Sequence, residues 1–516
     1  MKAGLDLQMP GPATHDINKL IKAVQNGALD QKVLDQSVTK MLELIFRHID
    51  NKHDATFDRD AHHKLSREIC EETVVLMKNE ENILPLKKEQ KVAFIGEYAE
   101  KPRFQGGGSS YINTSQLPSA LDAAKEFGVI VQYARAFSSE KDEATEEEIA
   151  AAVELAKSVD VAVVFAGLPE DYETEGLDRQ HINMPSVQNR VIAEVSKANP
   201  NTVVVLHNGG VVLMPWLDGV KGLVELYLGG QAVGQVTVDV LYGKVNPSGH
   251  LTESWPKRVE DNPAWLDFPG HSDKVFYLES IFVGYRYYDA KSMEVVFPFG
   301  HGLSYTTFEY SNLRVSKEEF NDNEEIEVTV DIKNTGAVAG RAVAQLYVSD
   351  KTNAALRPPK ELKGFGKVLL QPGETKSVTM KLNKRSFAWY NPEIKDWYCE
   401  TGNYDILIGE SSRKIHLTKT VKVTSTANII KFVTINTTYM DMLRNPITAP
   451  LIQQMLDENP TQKAIMESDN PDNEFYRICV RGAPVRALIL FFPFDGDYID
   501  NLIERANKLI KESLEK

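Results

Sequence analysis

The sequence predicts an α/β domain followed by an all-β domain, because its hydrophobic pattern changes near residue 306. Between residues 56 and 258, short apolar runs without alternation are separated by amphipathic segments, which is typical of a parallel sheet covered by helices. Between residues 306 and 424, apolar and polar residues alternate and turn signals separate the runs. That pattern indicates an antiparallel β-sandwich.

The α/β region alternates strands and helices. The predicted strands are residues 92–96, 129–133, 159–166, 202–207 and 222–228, and the predicted helices are residues 116–127, 146–158, 185–198 and 231–242. Most of these strands are rich in Val, Ile, Leu and Ala, as expected of strands buried on both faces. Loops that follow such strands are where open α/β sheets bind ligands.

The remaining segments flank these two domains. Residues 1–55 contain a short extended piece and two amphipathic helices, which have too few partners to form a domain. Residues 259–305 are aromatic and turn-rich, and we expect them to be a connector that packs against the α/β domain. Residues 425–516 are predicted to be helical. Their apolar run at 487–494 favours docking on a neighbouring domain, with a dimer contact as the alternative.

Composition excludes several classes of function. The chain has 516 residues, a net charge of −15 and a pI near 5.4, which disfavours nucleic acid as a partner. No apolar run reaches the ~20 residues that a membrane span needs. The three cysteines are scattered and form no metal-binding pattern, so we expect neither a metal nor a cofactor. They fit a reducing compartment, which favours a cytoplasmic location.

An acidic loop at residues 167–179 follows the strand predicted at 159–166. It carries Glu170, Asp171, Glu173 and Glu175, and mutual repulsion can raise the pKa of one of them enough to make it a proton donor near neutral pH. The alternative is a solvated loop without chemistry. Asp178 and Arg179, at its end, could form a local ion pair that fixes the loop.

A glycine-rich loop, Gln-Gly-Gly-Gly-Ser-Ser at residues 105–110, follows the first predicted strand. Its glycines allow a close approach of the backbone to a ligand, although glycine clusters often form plain turns. The spacing matches neither a dinucleotide-binding loop nor a P-loop. Ser109 and Ser110 suit hydrogen bonds to hydroxyl groups, as a sugar would need. Trp216, after the strand at 202–207, could stack on a ligand or belong to the core.

These loops belong to an ordered set of motifs, and the chain as a whole resembles glycoside hydrolase family 3, the β-glucosidase and β-xylosidase group. The motifs are residues 3–12, 74–86, 105–110, 173–179, 214–251, 277–289 and 297–310. The resemblance implies five parts. They are the C-terminal remnant of a (β/α)₈ TIM barrel at 1–55, an α/β-sandwich domain at 56–258, the connector at 259–305, a fibronectin type III-like domain at 306–424, and a helical C-terminal extension at 425–516. Residues 74–86 are similar to the family's linker into the α/β-sandwich domain.

The resemblance also implies a retaining mechanism that uses two carboxylates. It assigns the acid/base to Glu175, with Glu173 as the second candidate, and sugar binding to Gly108, Ser109 and Ser110. The family's nucleophile is an Asp in a Ser-Asp-Trp segment of the barrel, and no Ser-Asp-Trp occurs in this sequence.

We therefore expect a glycosidase-type chain for terminal, non-reducing β-D-glucosyl or xylosyl residues that is truncated and inactive by itself. The alternatives are a non-catalytic carbohydrate-binding or accessory protein, and half of a split enzyme completed in trans. A homo-oligomer is also possible.

Overall fold

A computed structural model describes residues 1–9, 11, 14–392, 394–427 and 432–514. Within these residues three hydrophobic cores follow one another along the chain, in an α/β unit, a β-sandwich and a helical unit. The predicted fold class is confirmed. No helix in this part of the chain is both long and apolar enough to cross a membrane.

The N-terminal segment is helical and weakly packed. Helix α1 (Thr14–Gln25) has no buried residue, and helix α2 (Gln31–Asp50) buries only Ser37. Residues 1–9 form turns and bends, so the extended piece expected there is not a strand. Residues 10 and 12 of the motif at 3–12 lie outside the described residues. Helix α3 (Arg59–Thr73) then leads into the α/β unit.

The α/β unit is built on a six-stranded sheet with the strand order β1-β6-β5-β4-β2-β3. The strands are β1 (Val75–Asn79), β2 (Val92–Ile95), β3 (Val131–Ala134), β4 (Val161–Gly167), β5 (Thr202–His207) and β6 (Gly222–Glu225). All pairs are parallel except β1 with β6. Every residue of β4 and β5 is buried, which explains their unbroken apolar sequences.

Strand β1 departs from the prediction of a linker at residues 74–86. Its first three residues are completely buried, and it forms the edge of the sheet by pairing antiparallel with β6. Its five residues are too short a run to show alternation, so the sequence did not distinguish a strand from a linker there.

Four helices cover the sheet: α4 (Ala120–Phe127), α5 (Glu146–Lys157), α6 (Ser186–Ala198) and α7 (Val233–Leu241). Helix α7 packs on α3 and α4, whereas α5 packs on α6, so each face of the sheet has its own layer. Capping boxes at Ser119 and Thr145 fix where α4 and α5 begin. These starts set the lengths of the loops that leave the carboxyl ends of the strands.

The aromatic connector joins the α/β unit to the β-sandwich. Strand β7 (Trp255–Pro256) pairs with β8 (Val295–Phe297), and helix α8 (Tyr285–Ala290) comes between them along the chain. The hydroxyl of Tyr285 accepts the Leu362 N–H at 2.8 Å, and Arg413 Nε donates to Asp289 at 3.0 Å. The connector therefore contacts the β-sandwich as well as the α/β unit.

The β-sandwich has two main sheets, with the orders β10-β18-β17-β12-β13 and β14-β11-β9. Their strands are β9 (Phe308–Val315), β10 (Glu319–Asn321), β11 (Ile326–Asn334), β12 (Gly340–Asp350), β13 (Glu361–Leu370), β14 (Thr375–Leu382), β17 (Gly402–Gly409) and β18 (Ile415–Thr424). A short helix, α9 (Lys384–Phe387), and a hairpin of β15 (Trp389–Asn391) and β16 (Asp396–Tyr398) precede β17. Burial alternates along β11, as the sequence predicted.

The last unit consists of helices α10 (Tyr439–Arg444), α11 (Ala449–Asp457), α12 (Pro460–Glu467), α13 (Glu474–Gly482) and α14 (Gly496–Leu514). Leu488 and Phe492, from the apolar run at 487–494, are buried among these helices. The expectation that this run docks on a neighbouring domain was therefore wrong. Leu488 and Phe492 contribute to the core of the helical unit itself, whereas Ile489 and Leu490 are exposed.

Candidate active site

The two loops predicted to carry chemistry lie side by side at the carboxyl edge of the six-stranded sheet. Strands β2 and β4 are neighbours, so the loops that follow them leave from adjacent positions. Gly107 and Thr174 form a parallel β-bridge, and the Glu175 N–H faces the Gly107 carbonyl at 3.4 Å. The glycine-rich loop and the acidic loop thus form one surface.

Glu175 is held by Ser109 across this surface. Its Oε2 accepts the Ser109 backbone N–H at 2.6 Å and also accepts the Ser109 hydroxyl. Both residues are exposed to solvent. The Ser109 hydroxyl and N–H lower the pKa of Glu175. The expected rise in pKa is therefore wrong for Glu175, because hydrogen bonds stabilise its charged form and solvent screens the other acids of the loop.

Glycine at position 108 makes this contact possible. The φ angle of Gly108 is +94°, and a Cβ atom there would lie 2.4 Å from Glu175 Cβ. Only glycine tolerates both conditions without displacing Glu175. Ser110 is less involved, because its hydroxyl donates to the Gly106 carbonyl of its own loop at 3.5 Å.

Glu173 has a different environment from Glu175. Its Oε2 accepts Arg103 Nη1 at 2.8 Å and the Gly209 N–H at 2.7 Å, and its backbone carbonyl accepts Arg103 Nη2 at 3.0 Å. The Arg103 side chain is only 8% exposed and that of Glu173 only 18%. Glu173 is therefore committed to a partly buried ion pair.

The contacts of Arg179 and Trp216 settle two further expectations. Arg179 does not pair with Asp178; it donates to the Val211 carbonyl at 3.0 Å and lies 3.8 Å from Glu173. Trp216 belongs to the core, since it is buried and its Nε1 donates to Asn189 at 2.9 Å.

Sequence reasoning missed Arg103, Glu225 and Glu253. Glu225 is completely buried and accepts Asn208 Nδ2 at 2.9 Å and the Tyr227 N–H at 2.7 Å. Burial raises the pKa of Glu225 well above its usual value, and burial also raises the pKa of Glu253. Glu225 had a signal in the sequence, because it is the one charge inside the apolar run 222–228.

A cavity of about 750 Å³ lies beside the acidic loop. Its lining includes Glu173, Arg179, Gly210 and Glu253, together with residues of the connector. The side of Glu173 that faces Arg179 therefore borders this space, whereas its other side contacts Arg103.

Known proteins are similar to this chain in sequence and architecture. Residues 74–305 match the glycosyl hydrolase family 3 C-terminal domain, and residues 342–412 match a fibronectin type III-like domain. Thermostable β-glucosidase B of Acetivibrio thermocellus is 45% identical over 517 residues, which cover 99% of this chain and 68% of the relative. An exo-α-(1→6)-L-arabinopyranosidase of Bifidobacterium longum is 36% identical over 503 residues, covering 95% of this chain and 65% of the relative.

Solved structures agree with these matches. A β-glucosidase from Bifidobacterium adolescentis superposes with a TM-score of 0.80 at 37% identity, covering 87% of this chain and 66% of that one. The chain thus spans about two thirds of the length of these relatives. Together with the fold and the paired loops, the similarity shows that this chain belongs to glycoside hydrolase family 3, a family of glycosyl hydrolases.

Proposed function

We propose that this chain supplies the acid/base half of a retaining β-glycosidase site, with Glu175 as the proton donor, for terminal β-D-glucosyl or xylosyl residues. The observation that carries the proposal is the contact of Glu175 with Ser109 at the carboxyl edge of the sheet. This contact fixes an exposed carboxylate beside a loop with hydroxyl groups. An acid/base group must reach a glycosidic oxygen from such an accessible position.

The contacts of the two acidic candidates favour Glu175 over Glu173. Three donors from Arg103 and Gly209 already occupy the Glu173 carboxylate and carbonyl. The Glu175 carboxylate has one partner residue, Ser109, which contacts only Oε2 and leaves the other oxygen free of these contacts. A group that exchanges a proton twice in each cycle needs that freedom.

Covering this surface would change the proton affinity of Glu175. The hydrogen bonds from Ser109 favour the carboxylate, whereas loss of solvent favours the neutral acid. We propose that a bound sugar competes for the Ser109 hydroxyl and removes one of the donors that lower the pKa. Gly108, Ser109 and Ser110 would then form the edge of the sugar site.

We also propose that the nucleophile is not among these 516 residues. A retaining mechanism needs a second carboxylate on the opposite face of the sugar, and no Ser-Asp-Trp segment occurs among the 516 residues. We therefore propose that the chain alone does not hydrolyse aryl glycosides at a useful rate, since loss of a nucleophile lowers the catalytic rate by several orders of magnitude.

Two assays test these points. In the first assay, the chain alone is incubated with an aryl β-D-glucoside, an aryl β-D-xyloside or an aryl α-L-arabinopyranoside, and hydrolysis is measured. The same assay is then repeated after mixing with the part of thermostable β-glucosidase B that this chain does not match. We expect turnover only in the mixture, and turnover by the chain alone would contradict the proposal.

The acid/base assignment is tested in the active mixture by comparing Glu175→Gln with Glu173→Gln. Loss of the acid should slow substrates with poor leaving groups by about 10²–10⁴-fold and slow 2,4-dinitrophenyl glycosides much less. Azide should restore part of the Glu175→Gln rate by giving the β-glycosyl azide. Azide rescue of Glu173→Gln, with none for Glu175→Gln, would instead assign the role to Glu173.

A non-catalytic carbohydrate-binding role is the alternative outcome of the same experiment. It predicts that glucose or xylose raises the melting temperature of the chain, that Ser109→Ala abolishes the rise, and that the mixture has no activity.

A further inference from the structure

The ion pair of Arg103 with Glu173 connects loops from three strands of the sheet. Arg103 itself follows β2, and it donates to both the carboxylate and the backbone carbonyl of Glu173, which follows β4. The same Glu173 carboxylate accepts the Gly209 N–H, which follows β5. We call Arg103, Glu173 and Gly209 the loop clamp.

The Arg103 and Glu173 side chains of the loop clamp are largely buried, and further contacts support Arg103. The carbonyl of Arg103 faces His207 Nδ1 at 3.3 Å, and the His207 ring stacks on Tyr98 at 5.7 Å between centroids. Burial lowers the pKa of His207 to about 4, so this histidine is neutral at pH 7 and does not repel Arg103. Breaking this partly buried ion pair would leave Glu173 without its charged partner, so we expect the pair to keep one geometry.

The clamp acts on the backbone immediately before Glu175. A hydrogen bond to the Glu173 carbonyl fixes the peptide that leads into Thr174, and Thr174 forms the β-bridge to Gly107. Gly107 is in turn two residues before Ser109. The path from Arg103 to the contact of Glu175 with Ser109 is therefore short and made of backbone groups.

We propose that Arg103 is a positioning residue, which holds Glu173 so that the acidic loop presents Glu175 to Ser109. The meaning for catalysis rests on the function proposed above. The placement of Glu175 does not rest on that function. This placement can be measured on the 516-residue chain without turnover.

The measurement uses the Ser109 backbone amide as a reporter. The chain is labelled with ¹⁵N-serine, and the Ser109 signal is assigned by its loss in Ser109→Ala. In the wild type this signal should shift as Glu175 ionises, with a midpoint below the ordinary glutamate pKa, and Glu175→Gln should abolish the shift. The two Ser109 donors, rather than the Arg103 charge, lower the pKa of Glu175, so the response reports geometry.

We expect Arg103→Met to reduce the pH-dependent shift of Ser109 at least about threefold, because the Glu175 carboxylate would leave hydrogen-bond distance. Its midpoint should return toward the ordinary value. Arg103→Lys should give an intermediate response, since an ammonium cannot donate to the carboxylate and the carbonyl with the fixed geometry of a guanidinium.

Arg190→Met is the matched control. Arg190 makes a two-pronged ion pair with Glu146, at 2.6 and 2.7 Å, away from the three loops. It should leave the Ser109 titration unchanged. If Arg103→Met does not fold, Glu173→Gln keeps the size of the side chain while removing its charge, and it should weaken the Ser109 response.

A merely structural role would lower the melting temperature of Arg103→Met while the Ser109 titration stayed as in the wild type, and that result would overturn the proposal. The two proposals can fail separately. If the mixture is inactive but Arg103→Met reduces the Ser109 titration as expected, only the proposed function is refuted. If the mixture is active but Arg103→Met leaves the Ser109 titration unchanged, only the positioning role is refuted.

Discussion

Replacing Gly108 with alanine should separate Glu175 from Ser109. The φ angle of +94° costs an alanine about 1–2 kcal/mol by itself. The new Cβ would also lie 2.4 Å from Glu175 Cβ, whereas carbon atoms in contact lie ~3.5–4.0 Å apart. Glu175 must therefore move by about 1 Å or more.

A movement of that size is enough to break the contact with Ser109. The hydrogen bond from the Ser109 N–H is 2.6 Å long, and an added ~1 Å stretches it to ~3.6 Å, which is no longer a hydrogen bond. In the active mixture, a misplacement of about 1 Å can cost about 10²-fold in rate. The assays are the Ser109 titration, the melting temperature and the rate with a poor leaving group.

Gly176→Ala is the control for backbone strain. Gly176 has a φ of +84° in the same loop, and no atom lies within 4 Å of the Cβ that alanine would add. It should lose a similar amount of stability while keeping the Ser109 titration. If Gly108→Ala and Gly176→Ala gave the same titration, the argument from close approach would be refuted.

Three other predictions concern stability. Burial alone would raise the pKa of Glu97, but hydrogen bonds from Ser139 and Arg135 outweigh it and lower the pKa to about 2. Glu97 therefore stabilises the fold fully above its pKa in the unfolded chain and progressively less as the pH falls toward 2. Glu97→Gln should therefore cost about 2 kcal/mol in urea unfolding at pH 7 and less at pH 3; an equal cost at both would contradict this. Burial raises the pKa of Glu225, so the native state retains a proton that the unfolded state releases, and the wild type should lose stability as the pH rises from 5 to 8. Glu225→Gln should not lose stability in this way, so its melting temperature minus that of the wild type should rise from pH 5 to pH 8. A fall in this difference over the same range would be evidence against a protonated Glu225. A chain ending at Ala427 should melt within a few degrees of the full chain, because the helical unit has its own core; loss of the main transition would show that this unit supports the others.

The sequence predicted the α/β and β-sandwich units well because their patterns are long and regular. Strand β5 was predicted with its observed bounds, and the alternation in β11 placed its buried face. Strand β1 was missed because five residues carry too little pattern, and the run at 487–494 was misjudged because periodicity does not say which partner covers an apolar face.

The site was predictable as a set of loops but not as a set of contacts. Adjacent strand ends bring the loops at 105–110 and 167–179 together, and this follows from the sheet order. Which acid meets Arg103 and which meets Ser109 depends on distances that no spacing rule supplies. Glu173 and Glu175 are two residues apart, yet one is held in a partly buried ion pair and the other lies on the surface.

The loop clamp has a consequence for how the α/β unit folds. Arg103 and Glu173 are 70 residues apart, and Glu173 and Gly209 are 36 apart, so neither contact can form locally. Contacts of such long range form slowly, after the chain segments between them have been brought into register. The clamp closes only when β2, β4 and β5 are all in place. In a refolding experiment, the Ser109 signal should therefore reach its native position later than the helical circular dichroism does.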